Sequence, residues 1–130
     1  MRILITGSRD FDNFELMRYV LKFFEEKDVT LIHGDCRGAD KIAGYIGKTL
    51  DFNMEAHPAD RNRYGKKAGP IRNTEMVNSG ADLVLAFPIG NSYGTKDCIR
   101  KAEQRDIPVI EVTNTNIEDL YEIFKNIERN

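Results

Sequence analysis

Arg72, the glycine pair Gly90 and Gly94 with Thr95, and the stretch Gly34-Asp35-Cys36-Arg37-Gly38-Ala39-Asp40 are the residues whose types and spacing can do chemistry. Glycines at the entry to a helix expose backbone N–H groups, and the positive end of the helix dipole favours an anion there. An arginine close by adds a planar, permanently charged fork that matches a phosphate. Gly90-Asn91-Ser92-Tyr93-Gly94-Thr95 follows the apolar run Leu83 to Phe87 and opens a helix. Thr95 can cap that helix, donate to a phosphate, or do both. The segment from Gly34 to Asp40 likewise leaves a strand and enters a helix; its plain alternative is a tight turn with Asp40 in the first helical turn. Neither loop is a G-x-G-x-x-G fingerprint or a Walker A motif.

Other residues have two readings each. Gly7-Ser8-Arg9 ends the first strand, where Ser8 and Arg9 either reach into a crevice or form a turn with an exposed arginine. Pro58 to Gly69 reads as a long loop of the lid or binding type, in which Tyr64 stacks on a base and Asp60 holds a ribose hydroxyl; the alternative is a solvated basic loop. Arg72 and Glu75 are one helical turn apart and can pair as ions. The helix of Arg72 precedes the apolar strand and faces the glycine loop, which favours a ligand-facing Arg72, with Asn73 supporting backbone or ligand oxygens. His33 and His57 each end a strand and read as structural. Cys36 adjoins Arg37 near a helix start, but no His and acid pair accompanies it, so a cysteine nucleophile is not expected.

These side chains need elements to hold them. Arg2 to Thr6, Val29 to His33, Phe52 to His57, Asp82 to Phe87 and Val109 to Val112 read as strands. Helical spacing recurs in Leu16, Tyr19, Val20, Phe23 and Phe24, capped by Asp12 or Asn13, and in Ala39, Ile42, Ala43 and Ile46. Ile71 to Asn78 and Thr95 to Arg105 form further predicted helices, with Pro70 tolerated at the first turn. Ile117, Leu120, Tyr121, Phe124 and Ile127 mark an amphipathic C-terminal helix over about 116–128, capped by Asn116. Strict alternation predicts a single α/β domain over residues 1–130, doubly wound, with a five-stranded, mostly parallel sheet and helices on both faces. The loops after strands are rich in Gly, Arg, Asp and Ser, and those after helices are short and plain. Ligands in such sheets bind beyond the carboxyl ends of the strands.

Composition narrows the function classes. The chain has 130 residues, is 41% hydrophobic and 31% charged, and carries a formal charge of −2 with a pI near 5.7. That balance argues against nucleic-acid binding driven by bulk charge. No apolar run approaches the ~20 residues of a membrane span, and the N-terminus enters a strand at once instead of reading as a signal peptide. Cys36 and Cys98 are too few for a disulfide framework or a zinc site. A cytoplasmic protein with no metal, no cofactor and no membrane partner is expected.

Ile5-Thr6-Gly7-Ser8-Arg9-Asp10, Ile32-His33-Gly34 with Arg37-Gly38-Ala39-Asp40, His57-Pro58-Ala59-Asp60, Tyr64-Gly65-Lys66, Ala68-Gly69-Pro70-Ile71-Arg72-Asn73, Ala86-Phe87-Pro88 and Gly94-Thr95 together resemble the YspA-type branch of the SLOG superfamily, from about Met1 to Val112. The resemblance implies a Rossmann-like domain that binds a nucleotide or nucleotide-derived ligand. The superfamily includes the LOG phosphoribohydrolases, which release a base from a nucleoside monophosphate, the DNA-processing protein of natural transformation, and sensors of ADP-ribose-type signals. YspA-type proteins are common in bacteria and phages. The Arg-Lys-x-x-Met stretch of the LOG enzymes is matched by Arg72-Asn73-Thr74-Glu75-Met76. Their Pro-Gly-Gly-x-Gly-Thr-x-x-Glu stretch departs here: Cys98 takes the position of the glutamate and Asp97 falls one residue early, about 100° around a helix.

Three functions follow as expectations. The first is a sensor or sequestering protein, phage-related in one version, that holds a phosphoribosyl or ADP-ribose-like ligand. Its ligand-binding candidates are Gly7, Ser8, Arg9, Gly34, Arg37, Gly38, Ala39, Asp40, Asp60, Tyr64, Arg72, Asn73, Gly90, Gly94 and Thr95. The second is a nucleotide N-glycosidase with Arg72 and Asp97 as catalytic residues, Arg72 orienting the ribose phosphate and Asp97, or else Asp60, supplying the carboxylate. The third is a module for single-stranded DNA or protein, the nucleic acid disfavoured by charge. A homo-oligomer is also expected, because Phe23, Phe24, Tyr121 and Phe124 supply more apolar surface than a small sheet covers.

Overall fold

A computed structural model describes residues 1–129 of the chain. Five strands, β1 (Arg2–Gly7), β2 (Thr30–His33), β3 (Asn53–Ala56), β4 (Leu83–Phe87) and β5 (Val109–Glu111), form one sheet in the order β3-β2-β1-β4-β5. Every pairing is parallel. The helices are α1 (Phe14–Lys22), α2 (Ala39–Thr49), α3 (Arg61–Tyr64), α4 (Ala68–Asn78), α5 (Tyr93–Gln104) and α6 (Ile117–Arg129).

Period-two alternation along the strands divides the core. Ile3, Ile5, Leu31, Leu83, Leu85 and Phe87 point to one face and pack with Leu16, Met17 and Val20 of α1, Phe24 in the turn just after it, Ala39, Ala43 and Ile46 of α2, and Leu120 and Phe124 of α6. Leu4, Ile32 and Val84 point to the other, against Met76 and Val77 of α4 and Cys98 and Ala102 of α5. β4 is buried along its whole length because both its faces are covered and both its edges are paired. Phe24 and Phe124 have no exposed surface, and Phe23 stacks on Phe124 with ring centroids 5.1 Å apart. Full burial of such a ring contributes roughly 1.5–3 kcal/mol. Much of the aromatic surface expected to seek a second chain is thus used where α1 meets α6.

Several expected boundaries shift. Pro58 to Gly69 is not one loop: it holds α3, a 3₁₀ turn at Gly65–Lys67 and the start of α4. Helix α4 begins at Ala68, so Gly69 and Pro70 lie in its first turn, where a missing N–H costs nothing. Helix α5 begins at Tyr93, two residues before Thr95. Asn13, not Asp12, caps α1 by accepting from the Leu16 N–H at 3.0 Å. Asn116 points its side chain back to the Thr113 N–H and the Glu111 carbonyl rather than forward into α6. Among the described residues no helix is long and apolar enough to cross a membrane.

Candidate functional site

From β1 the chain winds outward to β2 and β3; it then returns across the sheet to β4 on the other side of β1 and continues to β5. The reversal leaves a crevice where β1 and β4 end side by side, and such switch points are where ligands enter open α/β sheets. A cavity of about 840 Å³ opens there. Its floor includes Thr6, Gly7 and Ser8 of β1 and its exit; its walls are Arg72 and Asn73 of α4 and the segment Gly90 to Thr95, which leads into α5.

Arg72 is fixed from several sides. Its Nη1 donates to the Gly34 carbonyl at 2.7 Å and lies 3.5 Å from Cys36 Sγ, and its Nε donates to Asn73 Oδ1 at 3.0 Å. A Cβ at Gly34 would overlap the guanidinium, so the glycine is what lets the fork lie on the backbone. The expected alternative, an ion pair of Arg72 with Glu75, is not formed; Glu75 lies 3.8 Å from His57 instead.

Asn73 is 4% exposed and joins the two walls. Its Nδ2 donates to the Gly94 carbonyl at 3.2 Å and to Asp97 Oδ2 at 3.1 Å. Asp97 also meets Arg100 at 2.6 Å and Lys101 at 2.9 Å. Burial opposes its ionisation, but the hydrogen bonds from Lys101, Asn73 and Arg100 outweigh burial and hold the carboxyl below the usual aspartate range. Asp97 lines the cavity and Cys98 does not. Thr95, Cys98 and Ala102 form the buried stripe of α5, so the preceding residue is turned toward α4. Burial pushes the Cys98 thiol up to about 11, which leaves it an inert core residue.

The N-terminus of α5 faces the cavity with its first turn open. Ser92 makes no side-chain cap bond to the helix; its hydroxyl meets that of Thr95 at 2.6 Å. The first backbone bond of the helix runs from the Lys96 N–H to the Ser92 carbonyl. Among the described residues nothing accepts from the N–H groups of Tyr93, Gly94 and Thr95. This is the helix-terminus geometry that receives anions.

Asp40 is the buried carboxylate of the site, 7% exposed. Its Oδ2 accepts from the N–H groups of Gly34 and Cys36, each at 3.2 Å. Burial pushes its pKa up to about 6; the Cys36 N–H, the Arg72 charge and the Gly34 N–H pull the other way and only partly offset it.

Of the residues expected to bind, the structure brings Gly7, Ser8, Arg9, Arg37, Asp40, Arg72, Asn73, Gly90, Gly94 and Thr95 together around the cavity, with Asp97 beside them. Gly34 opens on a smaller adjoining hollow of about 270 Å³ that shares Arg9, Cys36 and Arg37 with the first. Gly38 and Ala39 lie outside the lining and serve as scaffold. Gly38 adopts φ +80, its missing Cβ makes room for the Ser8 and Arg9 carbonyls, and the Ala39 N–H donates to the Ser8 carbonyl at 3.2 Å. Asp60 and Tyr64 are also apart from the cavity. Asp60 caps α3 through the Arg63 N–H at 3.1 Å, and Arg63 lies over the Tyr64 ring at 5.1 Å. His33 is buried and accepts from the Asp35 N–H at 3.0 Å, a structural role. Sequence reasoning singled out neither Ser92 nor Tyr93 individually, and both line the cavity. A serine three residues before Thr95 is a helix-start signal that would have moved α5 forward.

Comparison with known proteins agrees with this fold. The chain is 42% identical over 117 residues to the Gene 61 protein of Mycobacterium phage D29, spanning 84% of this chain and 94% of that one. Its fold is similar to that of DNA processing protein A (DprA) from Streptococcus pneumoniae, with a TM-score of 0.74 at 14% identity over 98% of this chain; the chain spans only 56% of that protein. It is also similar to the molybdenum cofactor binding protein of the phototrophic bacterium Rippkaea orientalis, with a TM-score of 0.69 at 21% identity, covering 99% of this chain and 85% of that one. A family model described as the YspA, cpYpsA-related SLOG family matches residues 1–64, the half that carries β1, β2 and the loop from Gly34 to Asp40. With a phage relative matched over nearly its whole length and a sheet order that puts the cavity at the β1–β4 switch point, the chain belongs to the YspA, cpYpsA-related SLOG family.

Proposed function

We propose that the protein binds a phosphorylated nucleoside or an ADP-ribose-like ligand in the switch-point cavity, as a sensor or sequestering protein. One observation carries this reading: the open first turn of α5 and the fixed Arg72 fork face the same cavity, whose volume of about 840 Å³ suits a nucleotide. Arg9 and Arg37 add positive charge at the rim, and Tyr93, 76% exposed there, offers an aromatic face to a base. Family membership and the cofactor-binding name of one structural neighbour support ligand binding in general. The test is to incubate the protein with nucleoside monophosphates, ADP-ribose and cyclic nucleotides and follow intact ligand and products by mass spectrometry. Retention of one intact ligand, released on denaturation and lost in Arg72→Ala, is expected. Absence of retention across the panel rejects the reading.

Asp97 favours a second reading. It places an ionised carboxylate on the cavity wall one hydrogen bond from the residue that orients Arg72. A negative charge there can stabilise an oxocarbenium-like centre, as cleavage of an N-glycosidic bond requires. Release of free base in the same experiment, abolished by Asp97→Asn, would establish a phosphoribohydrolase. The third expectation, a module for single-stranded DNA, has the DNA-processing name of one structural neighbour behind it and the net charge of −2 against it. A steep loss of DNA binding with salt would revive it.

A further inference from the structure

Asp40 carries a more specific statement about the ligand, one that rests on the nucleotide reading above. One of its oxygens is fully engaged by the Gly34 and Cys36 N–H groups. The other has no hydrogen-bond partner among the described residues, yet no buried side-chain oxygen or nitrogen among them lacks one. Oδ1 therefore opens on the cavity that Asp40 lines. It is the free oxygen of a residue that is only 7% exposed.

An ionised carboxylate only accepts hydrogen bonds, so its complement is a hydroxyl or an amine and never a phosphate. The anion site lies just beside it: Arg72 donates to the carbonyl of Gly34 while Asp40 accepts from the N–H of the same residue. A ligand that satisfies both carries a negative group and a hydrogen-bond donor close together, as a sugar phosphate does. A guanine edge would ask for both carboxylate oxygens at once, and only one is free. We propose that Asp40 Oδ1 receives a ribose hydroxyl, so that the site selects ribonucleotides over their deoxyribo counterparts. A deoxy ligand leaves this oxygen desolvated with no donor, and hydrogen bonds to buried charged acceptors are lost at roughly 10- to 100-fold in affinity.

Calorimetric titration of the full chain at about pH 8 tests this, with AMP, 2′-deoxy-AMP, 3′-deoxy-AMP, ribose 5-phosphate and 2-deoxyribose 5-phosphate as probes. The expected result is at least a tenfold preference, roughly, for the ribosyl probe over one of its deoxy forms. Asp40→Asn should bring that ratio to within about twofold. The amide oxygen must keep the two backbone N–H groups, which turns the NH₂ toward the cavity and replaces an acceptor by a donor. The comparison on the unmodified protein decides the matter even if the variant does not fold. Ratios within about twofold for every deoxy probe overturn the assignment of Asp40 and leave the nucleotide site standing. Failure of all five probes to bind overturns the assignment of Asp40 to the ribose of such ligands, and the wider panel with ADP-ribose and cyclic nucleotides decides the nucleotide reading separately.

Discussion

Asp40 shows how one residue can work against the fold that contains it. Its folded-state pKa of about 6 lies above the ~3.9 of an unfolded aspartate. Between those values the folded chain binds more protons than the unfolded one, so stability falls as pH rises through this window and stays lower above it. A shift of two units corresponds to about 3 kcal/mol as an upper bound. Asp40→Asn is therefore expected to raise the melting temperature by several degrees at about pH 7.5 and to change it little near pH 4; equal effects at both values would contradict the account. Asp97, Asp35 and Glu55 act with the opposite sign. Lys101, Asn73 and Arg100 hold Asp97 low against burial, a hydrogen bond from Lys41 does so for Asp35, and one from His57 for Glu55. Their stabilisation is present above the unfolded carboxylate value and is lost as pH falls through the folded one. The Gly-Ala-Asp stretch marked Asp40 in the sequence as a helix-entry residue, but nothing in one dimension shows that a carboxylate will be walled in.

At the scale of elements, α4 and α5 are held in register by a polar clasp. Asn73 takes Arg72 on one side and gives to Gly94 and Asp97 on the other, and Lys101 Nζ returns to the Pro70 carbonyl at 2.8 Å. Asn73→Ala removes several bonds at a buried position and should cost about 1–3 kcal/mol by chemical denaturation. It should also weaken ligand retention more than its distance from solvent would suggest, because Arg72 loses its lateral support. A variant with unchanged stability and unchanged retention would show that the clasp is ornamental. The apolar run of β4 and the 3.6-residue spacing of α1, α2 and α6 made these elements legible, since a two-sided buried strand and an amphipathic helix write their environment directly into residue type. The facing of Asp97 was not legible. It depends on where α5 begins, and a start at Tyr93 rather than Thr95 was hidden by the polar run Asn91-Ser92-Tyr93. Asp60 and Tyr64 lie apart from the cavity for a related reason: a basic, proline-preceded stretch looks like a lid, and here it coils into a short helix that engages both side chains locally.

The whole molecule has one chemically furnished end and one plain end, as the contrast between its two sets of loops foretold. Strand order alone decides where the furnished end gathers, and that order came from tertiary packing that a single sequence implies only through the α/β alternation. Self-association belongs to this scale too. After Phe23, Phe24 and Phe124 pack internally, Phe14 and Tyr45 remain in contact at 5.8 Å on the surface, both exposed, with Tyr19 and Tyr121 elsewhere on the same helical layer. A dimer through this layer is the expected species, so light scattering should give about twice the chain mass of 14.9 kDa. A monomer at tens of micromolar would reject it.

The contact between Gly34 and Arg72 joins positions 38 residues apart, on opposite sides of the switch point. Any side chain at Gly34 would evict the guanidinium, so Gly34→Ala should mimic the loss of Arg72 while leaving the arginine in place. In a double-mutant cycle the second change should then add little to the first, a coupling of about the full effect of either alone. The two positions are expected to vary together among relatives: a side chain at position 34 should be found only where position 72 is no longer arginine.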